Sequence, residues 1–320
     1  MAEPTRVAVA CQGGGSHTAF TAGVLQELLA EWDDERFDLV GLSGTSGGAI
    51  NATAAWYGLE RAGREHAIEL LDEIWADIAV SGPVERTTNW WLTHAGRLEA
   101  MGFPLPNVSP YYAPIAATAR AGLRDVIERH IDFEELRALY TPDCPELVVG
   151  TVNINAGEFE TFTNADVSAD ALLASAAVPE LFRAVEIHGH YHWDGLFSQN
   201  PPVHDLLTVP ADRKPEELWI VQINPQTRES EPTTLEEILD RRNELAGNIS
   251  LNQELRFIET VNEWVEAGRL PESEFTRTDV HRIQLGEQFH ASTKVDRSAA
   301  FVEAMMERGR EQAAAFLDGR

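Results

Sequence analysis

Residues 41–50 read GLSGTSGGAI and follow directly on the apolar run Phe37-Asp38-Leu39-Val40. One of its two serines, Ser46, stands among Gly44, Gly47 and Gly48. Such a stretch is either a flexible surface turn or a strand-to-helix elbow that holds a nucleophile where bulkier neighbours would not fit. The G-x-S-x-G pattern alone arises by chance in many glycine-rich loops. Its setting decides the matter: FDLVGL (37–42) reads as a buried strand and GGAINATAAWYG (47–58) as a helix, the context a nucleophile elbow requires. In that arrangement the glycines relieve crowding and the following helix aims its N-terminal amides at the serine.

The same grammar occurs upstream. RVAVAC (6–11) reads as a short buried strand, followed by a glycine loop and an apolar-periodic helix from about Thr18 to Trp32. Two strand-loop-helix units in succession predict an α/β fold with a mostly parallel sheet covered by helices on both faces. Further along, GREHAIELLDEIWADI (63–78) reads as a helix, PELVVGTVNI and EFETFT as a strand pair, SADALLASAAVPELF as a short helix and ELWIVQINP as a central strand. Residues 233–268 form a long helical stretch and FVEAMMERGREQAAAFL a terminal helix. Between Val80 and Pro114 the pattern changes to Pro, Gly and aromatic residues, including Trp90, Trp91, Phe103, Tyr111 and Tyr112. This predicts an irregular insertion, serving either as an apolar cover over the site or as a local core beneath a long loop. The expectation is one domain over residues 1–320, with the insertion at about 80–114 and a helical C-terminal part at about 233–320. In the long helix, the apolar positions Leu235, Ile238, Leu239, Leu245, Ile249, Leu255, Ile258, Val261 and Val265 are expected to pack into the core.

Composition narrows the partners. Asp and Glu number 52 against 25 Lys and Arg, a net charge of −27, and only Lys214 and Lys294 are lysines. So anionic a surface repels nucleic acid and anionic membranes in dilute buffer, and molar salt screens that penalty. The balance matches a protein adapted to high salt. Cys11 and Cys144 suit neither a disulfide framework nor a metal-ligand spacing. No window reaches the length of an apolar membrane span, and the start of the chain has no leader pattern, so a soluble cytoplasmic protein is expected.

Two further stretches carry chemistry. In CQGGGSHTAFTAGVL (11–25), Gly13, Gly14 and Gly15 can turn several backbone N–H groups toward one point, where they would stabilise a developing oxyanion. A dinucleotide loop is the competitor, and it fails because Thr18 occupies the third glycine position and no Walker lysine follows. In ASAAVPELFRAVEIHGHYHWDGLFSQNPPV (174–203), Asp194 stands at a strand end before Gly195, where a carboxylate can take a serine proton. A lone Asp-Gly is otherwise a turn.

Together, in this order, the three stretches resemble the patatin-like phospholipase family, from about residue 6 to residue 205. The resemblance implies a three-layer α/β/α fold and a Ser-Asp dyad without a catalytic histidine. Ser46 would be the nucleophile and Asp194 the proton acceptor. The amides of Gly13, Gly14 and Gly15, with Gly47 as a further donor, would form the oxyanion hole, and Gly44, Gly48, Gly195 and His17 would support the motifs. It implies no metal and no organic cofactor. Two positions depart from the family pattern: Ser16-His17-Thr18 stands where the family has an arginine after the glycines, and Leu196 follows Asp194-Gly195 in place of Gly or Ala. His17 supplies a positive charge only if protonated; otherwise it packs against the loop. His188, His190 and His192 alternate like metal ligands on one strand face, but a turn at Gly189 is expected to leave them on a hairpin rim. His192 could also complete a Ser-His-Asp triad, an alternative to the dyad.

The acidic composition and the loop variants resemble haloarchaeal patatin-like proteins, a group that includes polyhydroxyalkanoate depolymerases acting on storage granules. The expected activity is therefore serine ester hydrolysis of an intracellular polyester. Hydrolysis of phospholipid or neutral lipid is the first alternative, and a non-catalytic lipid- or granule-binding protein the second. Oligomeric state is not legible in the sequence.

Overall fold

A computed structural model describes residues 3–79, 109–271 and 274–320. Most of the insertion expected at 80–114, including Trp90, Trp91 and Phe103, lies outside the described residues.

β1 (Thr5–Cys11) and β2 (Phe37–Thr45) pair in parallel, as do β2 with β3 (Glu146–Asn153), β1 with β7 (Glu217–Gln222) and β7 with β8 (Asp279–Gln284). The other pairings are antiparallel. β3 pairs with β4 (Glu158–Thr163) along one edge and with β6 (His190–Asp194), which in turn pairs with β5 (Val185–Ile187). Among the described residues the sheet has eight strands.

Side-chain alternation along β1 builds two cores. Val7, Val9 and Cys11 turn toward α1 (Ala19–Ala30), α2 (Gly47–Ala62), α3 (Arg64–Ile78) and the terminal helix, while Ala8 and Ala10 turn to the opposite face. The first face also takes residues of α4 (Pro114–His130), α5 (Phe133–Leu139) and α6 (Ala169–Ser175). On the second face, Leu206 of α7 (His204–Leu207) and Leu251, Leu255 and Ile258 of α8 (Leu235–Glu266) cover the sheet. Helices on both faces of a mostly parallel sheet make the expected three-layer α/β/α architecture. α4, α5 and β8 were not anticipated from the sequence.

The terminal helix α9 (Ala299–Asp318) packs backbone to backbone on α1. A Cβ at Gly23 of α1 would sit 1.9 Å from the Met306 carbonyl oxygen. Gly23→Ala must therefore push the two helices apart. The expected loss is roughly 1–3 kcal/mol of stability, the usual cost of overpacking, read as a lowered denaturant midpoint with unchanged slope.

One expectation for the long helix is corrected. α8 begins at a capping box formed by Thr234 and Glu237 and buries Leu255, Ile258 and Val265 as expected. Leu235, Ile238, Leu245 and Ile249 are instead 38–53% exposed. The reason lies on its inner face, where Glu244, Gly247 and Asn248 occupy the buried positions of the N-terminal half. That half meets the protein through polar groups, so its apolar residues fall on the outer side.

Candidate active site

The glycine loop leaves the C-terminal end of β1 and the serine turn leaves the C-terminal end of β2, neighbouring strands in parallel register, with Cys11 opposite Gly44. Loops that emerge side by side at these ends form the usual crevice of an open α/β sheet. Ser46 has φ 57° and ψ −129°, in the left-handed half of backbone space that a non-glycine residue seldom enters. The turn is held open by its neighbours: the Ser46 N–H donates to Ser175 Oγ at 2.8 Å, and Ser175 Oγ–H donates to the Gly150 carbonyl at 2.7 Å. The following helix, α2, starts at Gly47, so its free amides open beside the serine.

Strand register brings Asp194 to the same place. β4 occupies one edge of β3 along residues 148–153, so β2 and β6 must share the other edge. Thr45 lies opposite Gly150, and Asp194 lies opposite the next residue, Thr151. β6 therefore continues the row that β2 vacates at the elbow, and its last residue abuts the serine. Asp194 is fully buried. Its Oδ1 accepts the Leu196 N–H at 2.9 Å, and its Oδ2 is buried without a partner in hydrogen-bond geometry. Burial drives the carboxyl up to about 7, and the Leu196 N–H and the Ser46 hydroxyl offset only part of that rise.

The glycine loop is arranged differently from the expectation. The Gly13 N–H does not face the serine as a free donor: it donates to Asn200 Oδ1 at 2.6 Å. A Cβ at Gly13 would lie 2.8 Å from Ser46 Cβ, so this residue is the floor against which the serine rests. The amides of Gly14, Gly15 and Gly47 donate to no other described group, and these three residues reach the surface while Gly13 is buried. They are backbone donors left open near the serine turn.

His17 packs and does not carry charge. It is buried between Phe289 and Phe301, with Nε2 2.7 Å from Thr293 Oγ1. Burial, reinforced by the nearby Lys294 and opposed by Glu244, lowers its pKa to about 3. Lys294 places its carbonyl against Gly15 and commits its ammonium to Asp240 at 2.6 Å and Glu244 at 3.0 Å. Arg228 pairs with both carboxylates as well, and Arg241 with Glu244.

The histidines on the hairpin separate. His188 and Gly189 take φ 51° and 82° and form the expected turn. His188 and His190 are exposed, but His192 is buried, against the expectation of a rim position, because its ring packs edge-on against the buried Phe162 beside its pairing with Glu160. Its Nε2 lies 3.0 Å from Glu160 Oε2 and its Nδ1 3.1 Å from the His190 carbonyl, so neither nitrogen is free to serve Ser46. The three do not form a metal-holding group.

Sequence reading missed the residues that hold these parts in place. Ser43 and Thr45 hydroxyls donate to the carbonyls of Pro202 and Gln199, tying the segment after Asp194 to β2. Gln12, Asn200, Asn224 and Asn248 form a buried amide network behind the glycine loop. The available signal was a carboxamide directly after each apolar strand: Gln12 after RVAVAC, and Asn224 at the end of ELWIVQIN.

No curated protein matches the chain significantly. Among solved structures, VipD from Legionella pneumophila aligns with a TM-score of 0.48 and 15% identity, over 99% of this chain and 67% of that one. A chain of the full-length SpcU–ExoU complex from the type III secretion system of Pseudomonas aeruginosa aligns with a TM-score of 0.30 and 15% identity. That alignment covers 98% of this chain and 52% of the other, so the protein spans about half the length of that relative. The model of one family, described as patatin-like phospholipase, matches residues 9–207. This span is well over half of the chain and runs from β1 through α7, taking in the serine elbow and Asp194, and by that match the chain belongs to the patatin-like phospholipase family and is a carboxylic ester hydrolase.

Proposed function

We propose that Ser46 and Asp194 form a catalytic dyad and that the substrate is an uncharged aliphatic polyester of the polyhydroxyalkanoate type. The observation that carries the dyad is the unpartnered Asp194 Oδ2, buried beside the Ser46 hydroxyl. A fully buried carboxylate is a stronger base than one in solution, and with Oδ1 accepting the Leu196 N–H the other oxygen is left to take the proton. As Ser46 Oγ attacks the ester carbonyl, its proton passes to Oδ2. The oxyanion meets the amides of Gly14, Gly15 and Gly47, donors fixed before the charge develops. Collapse expels the alcohol, which takes the proton back from Asp194. Water then attacks the acyl-enzyme, with the same carboxylate as base.

The substrate class rests on charge. With His17 neutral and the Lys294 ammonium engaged by two carboxylates, neither of these two groups beside the glycine loop offers a free cation to a phosphate. A net charge of −27 adds repulsion toward an anionic lipid surface, though less at molar salt. The second reading, phospholipid or neutral-lipid hydrolysis, has the family description in its favour.

The test is hydroxy-acid release from amorphous polyhydroxyalkanoate granules in molar salt, alongside fatty-acid release from phosphatidylcholine vesicles, for the native protein and Ser46→Ala. The expected result is granule hydrolysis that disappears in the variant. Serine-dependent release from vesicles alone would transfer the assignment to lipid hydrolysis. A protein that neither turns over ester nor is labelled at Ser46 by a fluorophosphonate would overturn the dyad.

A further inference from the structure

We infer that Asn200 is a positioning residue for the oxyanion hole: its carboxamide clamps the Gly13 backbone, and through it aims the Gly14 N–H at the reacting carbonyl. This rests on the ester-hydrolase reading of the site.

The clamp is bidentate. Asn200 Oδ1 accepts the Gly13 N–H at 2.6 Å, while Asn200 Nδ2 donates to the Gly13 carbonyl at 3.3 Å. The carboxamide thus binds one residue's donor and acceptor together, much as a neighbouring strand would. Asn224 Nδ2 adds a second donor to the same carbonyl at 2.9 Å. In a trans peptide the C=O of one residue and the N–H of the next point in opposite directions. Two amides holding the Gly13 oxygen therefore turn the Gly14 N–H away from themselves, and that N–H has no acceptor among the described residues. An unclamped glycine loop would sample many orientations, because glycine has the widest backbone freedom of any residue.

The clamp is itself fixed. Gln12 uses both ends of its carboxamide: Nε2 donates to the Asn200 carbonyl at 3.1 Å and to Asn248 Oδ1 at 2.9 Å, and Oε1 accepts the N–H groups of Ile223 and Asn224. Asn248 on α8 donates onward to the Pro225 carbonyl at 3.1 Å. The network is buried throughout, with Gln12 at 0% and Asn200 at 2% exposure. Fully satisfied amide networks in a dry interior have one arrangement, which gives them rigidity. Asn200 also lies six residues after Asp194 on a segment pinned to β2 by Ser43 and Thr45. The segment carrying the base is thereby the one that orients the donor loop, so nucleophile, base and oxyanion donor share one frame.

Asn200→Ala releases the clamp. Loss of a single oxyanion donor costs about 10²–10³ in turnover; misdirecting one should cost roughly 10–10²-fold in kcat, with KM for a soluble ester changed by less than about threefold. Asn224→Ala leaves Asn200 on the Gly13 carbonyl and should lose less, roughly threefold to tenfold. The decisive quantity is kcat per active site, counted by fluorophosphonate labelling of Ser46, together with affinity for a trifluoromethyl ketone that forms a tetrahedral oxyanion on the serine. The expected result is a parallel fall in kcat per labelled site and in ketone affinity, graded Asn200→Ala beyond Asn224→Ala. A residue that only stabilises the fold would lower the labelled fraction and the unfolding temperature while leaving both per-site quantities unchanged, and that outcome overturns the inference. If Asn200→Ala yields no folded protein, Asn224→Ala alone decides by the same two quantities. Absence of turnover in the native protein would overturn the ester-hydrolase reading itself, a result distinguishable from either variant's behaviour.

Discussion

Asp194→Asn is expected to lower ester turnover by roughly 10²–10⁴-fold, the range a general base contributes, and at the same time to make the protein harder to unfold above neutral pH. Both effects come from the same burial. With the carboxyl at about 7, native kcat/KM should fall about tenfold per pH unit below that value and level off above it, since only the ionised form accepts the serine proton. The residual rate of the variant should lack that inflection. For stability, the folded-state pKa of about 7 stands above an unfolded value of about 3.9. The folded protein therefore binds this proton more tightly than the unfolded chain. The stability that Asp194 contributes is complete below pH ~4 and is lost as pH rises through about 7, reaching a penalty of roughly 4 kcal/mol at pH 8. Asparagine carries no such penalty, although its NH₂ would lie where Oδ2 now has no partner, returning roughly 1–3 kcal/mol of the gain. The variant should be the more stable protein at pH 8, and its advantage should shrink by roughly 2 kcal/mol between pH 8 and 5.5. Urea unfolding of both proteins at the two pH values measures this directly. Undiminished turnover would remove Asp194 from the mechanism, and a stability gap that does not move with pH would show that its carboxyl is not held neutral by burial.

How far the sequence revealed this site depended on whether each role is written in local pattern or in long-range register. The elbow was legible because a serine at positive φ, at the end of one strand and the start of one helix, needs small residues at fixed offsets. β1, β2, β7, α1, α2, α3 and α9 were legible because each is a largely apolar or apolar-periodic run of the right length, bounded by turn residues. The adjacency of Ser46 and Asp194 was not legible, since it follows from β6 taking up the edge of β3 that β2 leaves free. Nothing within either stretch encodes that pairing; only the order of the motifs in a resembling family suggested it. The Gly13 amide was misread for a related reason. Three consecutive glycines look like three equal donors until Asn200, 187 residues away, takes the first. α8 misled differently: its apolar residues at helical spacing fit a core-facing helix, but the face turned inward by Glu244 and Asn248 is polar, because it serves the ion cluster and the amide network.

Gly44→Ala is expected to lower turnover by at least about 10²-fold, although Gly44 bears no reacting group. A Cβ at this position would stand 2.4 Å from both the C and O atoms of Gly48 and 2.5 Å from the Ala49 nitrogen. All three are backbone atoms of the first turn of α2, so no side-chain rotation can relieve the contact. The turn itself must withdraw by about 1 Å to restore ordinary van der Waals separation. That turn holds the Gly47 N–H and sets where Ser46 Oγ stands, and a displacement of about 1 Å at a reacting group can cost 10² in rate. Overpacking should also remove roughly 1–3 kcal/mol of stability. Gly122→Ala is the matched control, because the same methyl group inside α4 meets nothing within 4 Å. There the change should leave turnover intact and stabilise the helix by up to about 1 kcal/mol. The measurement is the second-order rate of Ser46 labelling by a fluorophosphonate, made on folded material of both variants at equal concentration. A labelling rate in Gly44→Ala equal to that of Gly122→Ala would mean that the elbow tolerates the added methyl, and that its glycines reflect chain flexibility instead of the close approach of two backbones.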